Sequence, residues 1–163
     1  MICREERKIR SHNLPGGTDV TSQGYWFYAG NMRLSQKVEL PQEWFRGGRR
    51  VLLELEPPDA VLVRVIANGE DCGVRGWRPY KFDLTGSLRP GENDVTLELF
   101  GSCRNLLGPH HHWRGEVIYA GTAFGLKKSL DEDEPEVPEC PWVDRYCFLK
   151  FGIRAVPVLR CIR

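Results

Sequence analysis

A chain of 163 residues with a formal net charge of +1 is long enough for one domain with a core of its own; at this size roughly 70% of the unfolded surface can be buried. The balanced charge and scattered arginines give no bias toward nucleic acid or an anionic membrane, and no run of apolar residues is long enough to span a bilayer. Eleven prolines and seventeen glycines cut the chain into short runs, which suits an all-β sandwich and not a helical bundle.

The whole of 1–163 reads as a single β-sandwich domain, with an extended leading segment over 1–20 and a charged loop over 127–140. Leu14-Pro15-Gly16-Gly17 is a turn. Gly30 to Leu40 alternates, with Met32, Leu34, Val38 and Leu40 on one face and Arg33, Ser35, Lys37 and Glu39 on the other. Pro41 ends that strand, and Trp44-Phe45 with Gly47-Gly48 forms an aromatic loop before a strand over Arg50 to Leu55. Val61 to Ala67 is apolar on both faces except at Arg64, which predicts a central strand. Asn68-Gly69 then supplies a tight hairpin turn, because primed turns need positive φ at both central residues. A second turn at Arg89-Pro90-Gly91-Glu92-Asn93 leads into the half-buried strand Asp94 to Leu99.

From Gly101 to Pro109 the chain makes an excursion, with Leu106 and Leu107 placed to anchor it in the core. Glu116 to Ala120 alternates weakly. Cys147 to Ile153 and Ala155 to Cys161 read as closing strands, the last at a sheet edge because Pro157 lacks a donor. Seven to nine strands in a jelly roll is the natural count for this length. The first ten residues lack the apolar core of a signal peptide. The six cysteines show no CxxC and no dense framework. Reduced thiols in a cytoplasmic protein are expected, with a Cys140–Cys147 or Cys103–Cys147 bridge as the lesser reading.

The residues with most chemistry are loop aromatics and the groups beside them. Sugar recognition needs flat apolar faces against pyranose C–H groups and polar atoms for hydroxyls, and Trp and Tyr offer both. The same rings could instead plug the open ends of a sandwich. Trp26, Tyr28, Trp77, Arg78, Tyr80, Arg104, His110, Trp113, Glu116 and Trp142 form the candidate carbohydrate-binding set. Trp77, between Gly76 and Arg78, is the ring most suited to an exposed position. Arg104 and Asn105 offer directional hydrogen bonds, either to a ligand or to loop carbonyls that need partners.

His110-His111-His112 invites a metal reading, with Cys103 or Cys140 completing the set, but the spacing matches no zinc pattern and no metal is expected. The acidic run Asp131 to Glu136 could attract calcium, yet lacks the glycine and alternating Asp/Asn of a dedicated loop. For glycoside hydrolysis two carboxylates must flank a cleft. Glu70, Asp83, Glu116 and Asp144 show no spacing that singles out a pair, and Asp83 suits a turn that hydrogen-bonds backbone amides.

Asn68-Gly69, Gly73, Trp77, Tyr80, Phe82-Asp83-Leu84-Thr85, Leu88, Pro90-Gly91 and Asn93 together resemble the sugar-binding jelly-roll domain of family 2 glycoside hydrolases. Arg104-Asn105-Leu106-Leu107-Gly108-Pro109-His110-His111 resembles a segment of C-terminal domains in large bacterial glycosidase-like proteins, some of them rhamnosidase-like. The resemblance implies a galactose-binding-like fold, in which a structural calcium is common. It also implies that catalysis resides in a separate barrel domain too large for this chain. The chain is therefore expected to be no enzyme in isolation. The expected role is a non-catalytic carbohydrate-binding accessory domain. The alternative is a purely structural domain packing against a catalytic partner domain without binding sugar. Carbohydrate and the catalytic domain of a parent protein are the expected partners.

Overall fold

The computed structural model describes residues 5–8, 19–108, 110–111 and 142–163. Among the described residues eight strands form two four-stranded antiparallel sheets, an all-β sandwich. The strands are β1 (Glu5–Lys8), β2 (Asn31–Leu40), β3 (Arg50–Glu54), β4 (Leu62–Ala67), β5 (Glu70–Arg75), β6 (Lys81–Asp83), β7 (Gly91–Phe100) and β8 (Val158–Ile162). One sheet has the order β1-β8-β3-β6 and the other β2-β7-β4-β5.

Alternation along each strand sends one set of side chains between the sheets. Val51 and Leu53 of β3, Val63, Val65 and Ala67 of β4, Val95, Leu97 and Leu99 of β7, and Leu159 and Cys161 of β8 are all buried. Trp44, carried on the 3₁₀ turn Gln42–Phe45 after Pro41, is fully enclosed and closes one end of this core. The outward faces mix charged and apolar residues. On β7, Glu98 is paired by register with Arg33 on one side and Arg64 on the other, and both guanidiniums bond its carboxylate.

Strand direction divides the connections between two ends of the sandwich. One end carries the short links 41–49, 68–69 and 84–90; the other carries 19–30, 55–61, 76–80 and the described parts of the connection from Phe100 to β8. The first end is wired by turn chemistry. Asn68 sits at φ 51° and Gly69 at φ 85°, the primed turn expected from the dipeptide. Asn93, almost fully buried, accepts from Arg89 N (2.9 Å) and Asn68 Nδ2 (2.8 Å) and donates to the carbonyls of Arg89 and Gly91. Asp83 accepts from the Thr85 amide and hydroxyl and from Arg50. These bonds, led by the Thr85 hydroxyl, hold its carboxyl below the usual range.

Four expectations need correction. β4 is internal as expected, but its Leu62, Arg64 and Ile66 face is only half-buried, because among the described residues no second layer covers that side. Cys147 to Ile153 is not a strand: it runs beside the core with a single β-bridge, Gly152 to Asp59. The closing strand begins at Val158 and lies between β1 and β3, not at an edge; Pro157 precedes it, where a missing N–H removes no ladder bond. Leu106 and Leu107 are 51% and 78% exposed, so they do not anchor the excursion. Cys72, Cys103, Cys147 and Cys161 are free thiols, so neither suggested bridge forms. The turn at Leu14–Gly17, the strand over Glu116 to Ala120 and the loop over 127–140 lie outside the described residues.

Candidate functional site

The candidate residues that are described all belong to the second end of the sandwich. There the chain leaves β7 at Phe100, and Gly101 passes so close to Gly30 that a Cβ on it would stand 2.4 Å from the Gly30 carbonyl oxygen. Only glycine allows this contact, which sets the loop before β2 against the excursion after β7. The excursion makes one helical turn, α1 (Arg104–Leu107). Its inward residue is Asn105, 5% exposed. Asn105 Nδ2 donates to Leu149 O at 2.7 Å and its Oδ1 accepts from Leu149 N at 2.8 Å. A segment with no strand neighbour at Leu149 is thus given one by a side-chain amide, which meets the demand that buried backbone groups be paired.

Further bonds hold the rest of this end. His110 Nε2 donates to the Asn105 carbonyl (2.7 Å), and the His110 carbonyl accepts from Cys147 N (2.6 Å). His111 and Val143 are bonded twice, through Val143 N to His111 O and through His111 Nδ1 to Val143 O. Asp19 Oδ1 gathers the amides of Thr21 and Phe151 and the Thr21 hydroxyl. The imidazoles are therefore occupied in fastening loops. Among the described residues no three His, Cys, Asp or Glu side chains converge on a point where a metal could sit. His112 and the acidic run Asp131 to Glu136 lie outside the described residues.

On this frame rings gather. Trp26 stacks near-parallel on Phe148 (centroids 6.4 Å apart), and Phe27 meets Phe148 edge-to-face at 5.0 Å. Tyr146 lies parallel to Phe148 at 5.3 Å, Trp142 stacks on His111 at 4.1 Å, and Tyr28 stacks on Phe151 at 5.8 Å. Each pair adds about 0.5–1.5 kcal/mol beyond burial. Yet Trp26, Phe27, Trp142 and Tyr146 remain between 46% and 59% exposed. One face of each ring is thus spent on packing while much of the rest meets solvent.

Beside the rings runs an open groove of about 560 Å³. Tyr28, Phe148 and Phe151 line it with Pro58 to Val61, and Asn105 and Lys150 also line it. Asp59 is the one carboxylate among its lining residues, and Arg154 grips both of its oxygens. That pair also raises the Arg154 guanidinium further above its ordinary value.

The other candidates separate from this cluster. Trp77 is 79% exposed, as expected, over a shallow groove of about 470 Å³ with Val61, Leu62, Val74 and Arg75. Val61 lines both grooves, so they adjoin. Arg78 is exposed beside a third recess of about 460 Å³ with Glu54 and Lys81. Tyr80 is 8% exposed and its hydroxyl donates to the Gly76 carbonyl at 3.0 Å, so it packs in the core and its polar tip is already used. Arg104 Nε, Nη1 and Nη2 are buried and have no hydrogen-bond partner among the described residues. Trp113 and Glu116 lie outside the described residues.

Phe148, Lys150 and the Asp59–Arg154 pair escape sequence reading. Residues 147–153 carry strand-like alternation, which assigns their side chains to a sandwich wall and not to a loop. Asp59 and Arg154 are 95 positions apart, with no local pattern to join them.

No protein-family model matches the chain. Over 92 residues, 56% of the chain, it is 23% identical to a protein named "Putative beta-glucuronidase" from Formosa agariphila, of which it covers 8%. Among solved structures, a rhamnosidase from Novosphingobium sp. PP1Y matches 82% of the chain at 19% identity with a TM-score of 0.52, over 11% of its own length. A β-glucuronidase from Ruminococcus gnavus matches 83% of the chain at 14% identity with a TM-score of 0.49, over 21% of its own length. The rhamnosidase likeness bears on the fold. In each case the chain is similar to a small part of a larger glycoside hydrolase.

Proposed function

We propose that this chain is a non-catalytic accessory domain of a glycoside hydrolase-like protein, a galactose-binding-like jelly roll of the family 2 kind, and that its aromatic end binds carbohydrate. The observation that carries the reading is the groove beside Tyr28 and Phe148, flanked by half-exposed rings and holding one carboxylate already tied to Arg154. Stacking faces beside hydrogen-bonding groups suit a pyranose. A glycosidase centre needs two free carboxylates facing each other, and the described lining offers none. Hydrolysis would then belong to another domain.

Calorimetry and affinity electrophoresis with an oligosaccharide panel test this. Millimolar or tighter binding is expected, weakened about tenfold or more by Trp26→Ala or Tyr28→Ala, with no release of reducing sugar. Absence of binding to every sugar would refute the carbohydrate reading.

The exposed Leu106 and Leu107 favour a second reading, a face packed against a catalytic domain without sugar. That reading expects Leu107→Ser to weaken association with the parent catalytic domain while the tryptophan variants leave sugar binding undetectable throughout.

A further inference from the structure

We propose that β2 is a pairing edge for a second copy of this chain, two sandwiches joining into one continuous sheet through antiparallel β2–β2 contact. The proposal stands apart from the carbohydrate reading. β2 is ten residues long and is the last strand of its sheet, paired on one side with β7; no described residue pairs with its other side. An open edge is a template for another strand, and proteins blunt such edges with proline, bulges or shortness. β2 has none of these. It carries no proline, and its register with β7 runs unbroken from Asn31 to Leu40.

The main-chain groups that face the open edge follow from the ladder. Asn68 N donates at 2.8 Å to Asp94 O, which stands opposite it where the β4–β7 register continues past Ala67 and Val95. Hydrogen-bonded pairs alternate along an antiparallel ladder, so the even-numbered residues of β7 turn their main-chain groups to β4 and the odd-numbered ones to β2. Val95, Leu97 and Leu99 stand opposite Gln36, Leu34 and Met32. Those positions of β2 are spent on β7, and Arg33, Ser35, Lys37 and Glu39 turn their N–H and C=O groups to the open edge. A second β2 centred on Gln36 matches these groups to each other, Arg33 with Glu39 and Ser35 with Lys37 of the second copy.

The side chains select that register. On the inward face Met32 meets Leu40 and Leu34 meets Val38 of the second copy, which extends an apolar layer left half-buried at Met32, Leu34 and Val38. On the outward face Glu39 stands opposite Glu92 of its own sheet, a like-charge pair, and Arg33 of the second copy brings it the opposite charge. Arg33 bonds Glu98, which also bonds Arg64, so charge alternates across the junction from Arg64 through Glu98 and Arg33 to Glu39 of the second copy. Lys37 is held by Glu92 at 2.8 Å. A slide of two residues sets Lys37 against Lys37 in one direction and Arg33 against Lys37 in the other, both repulsive. A slide of one residue mismatches the hydrogen-bonding groups and turns the apolar side chains to the wrong face.

Sedimentation velocity and light scattering on the full 163-residue chain, over about 1–500 µM, test this. A reversible dimer with a Kd of about 1–100 µM is expected. Glu39→Lys sets like charge against Arg33 of the second copy and should weaken the dimer about tenfold or more. Ser35→Pro removes an N–H that faces the open edge and should abolish the dimer, with the fold checked by circular dichroism. Glu39→Lys changes an exposed side chain, so it tests the proposal even if the proline variant fails to fold. Gln36 lies on the two-fold axis in a non-hydrogen-bonded pair, with Cα atoms about 4.5 Å apart, within disulfide reach. Mild oxidation of Gln36→Cys should therefore link position 36 to itself, read by peptide mapping, while Leu34→Cys should not self-link. A chain that stays monomeric to about 500 µM, a dimer that either substitution leaves intact in a folded chain, or a dimer without the link at position 36 overturns the proposal.

Discussion

Replacing Asn105 by alanine should unfasten the aromatic end, and the size of the effect can be worked out. The amide is 5% exposed and makes two bonds to the main chain of Leu149, at 2.7 and 2.8 Å. Its removal strands one N–H and one C=O. A stranded buried group costs about 1–3 kcal/mol. Leu149 is only half-buried, so water recovers part of this. The expected loss is about 2–4 kcal/mol. With a urea slope of about 2 kcal/mol/M, the midpoint falls by about 1–2 M. Asn105→Asp is the sharper probe. Its carboxylate can still accept from Leu149 N but must face the Leu149 carbonyl without a donor. It should therefore be at least as destabilising at pH 7 and recover as acid protonates it. Urea unfolding followed by tryptophan fluorescence reads both variants, and amide exchange at Leu149 reads the local effect. A loss below about 0.5 kcal/mol for Asn105→Ala would refute the claim that this side chain substitutes for a strand partner.

Three further outcomes follow from other residues. Gly101→Ala drives a Cβ into the Gly30 carbonyl at 2.4 Å, so it should cost about 1–3 kcal/mol and weaken sugar binding, read by thermal melting and calorimetry. Asn93→Ala removes four bonds at the opposite end, so it should cost about 2–4 kcal/mol while a folded fraction binds sugar normally. Glu54 bonds Lys81 and Arg160, and its carboxyl is held below the usual range, first by the Lys81 bond. Its folded pKa lies below the unfolded one, so its stabilisation is full above about pH 4–5 and is lost as pH falls through the folded value. Glu54→Gln should lower neutral-pH stability by about 0.5–1 kcal/mol and flatten that part of the acid limb, measured by urea midpoints across pH.

The scaffold is legible in sequence wherever structure is local. Asn68-Gly69 can hardly be anything but a tight turn, and alternation in β2 and β7 fixes which side chains meet the other sheet. Asp83 likewise announces a turn by its spacing from Thr85. The site is less legible because its contacts join distant segments. Leu106 and Leu107 look like anchors by hydropathy, yet a one-turn helix has a single inward position, and Asn105 takes it to satisfy Leu149. Residues 147–153 alternate like a strand, but the pairing groups they need are supplied by Asn105, Asp19 and Asp59. Tyr80 and Trp77 stand three positions apart in one aromatic loop, and only the folded chain, where the Tyr80 carbonyl accepts from Leu55 N and its hydroxyl bonds Gly76 O, shows that the first turns inward.

The antiparallel pairing of β1 with β8, Glu5 opposite Cys161 and Lys8 opposite Val158, has a practical side. Arg50, at the start of β3, pairs with Ile162, so β1 starts and β8 finishes at the end wired by Asn93 and Asp83. A tether or reporter joined directly after β8 therefore departs from the end opposite the groove. Immobilising the protein there presents the aromatic end outward, so glycan arrays and biosensor surfaces can sample it without blocking it.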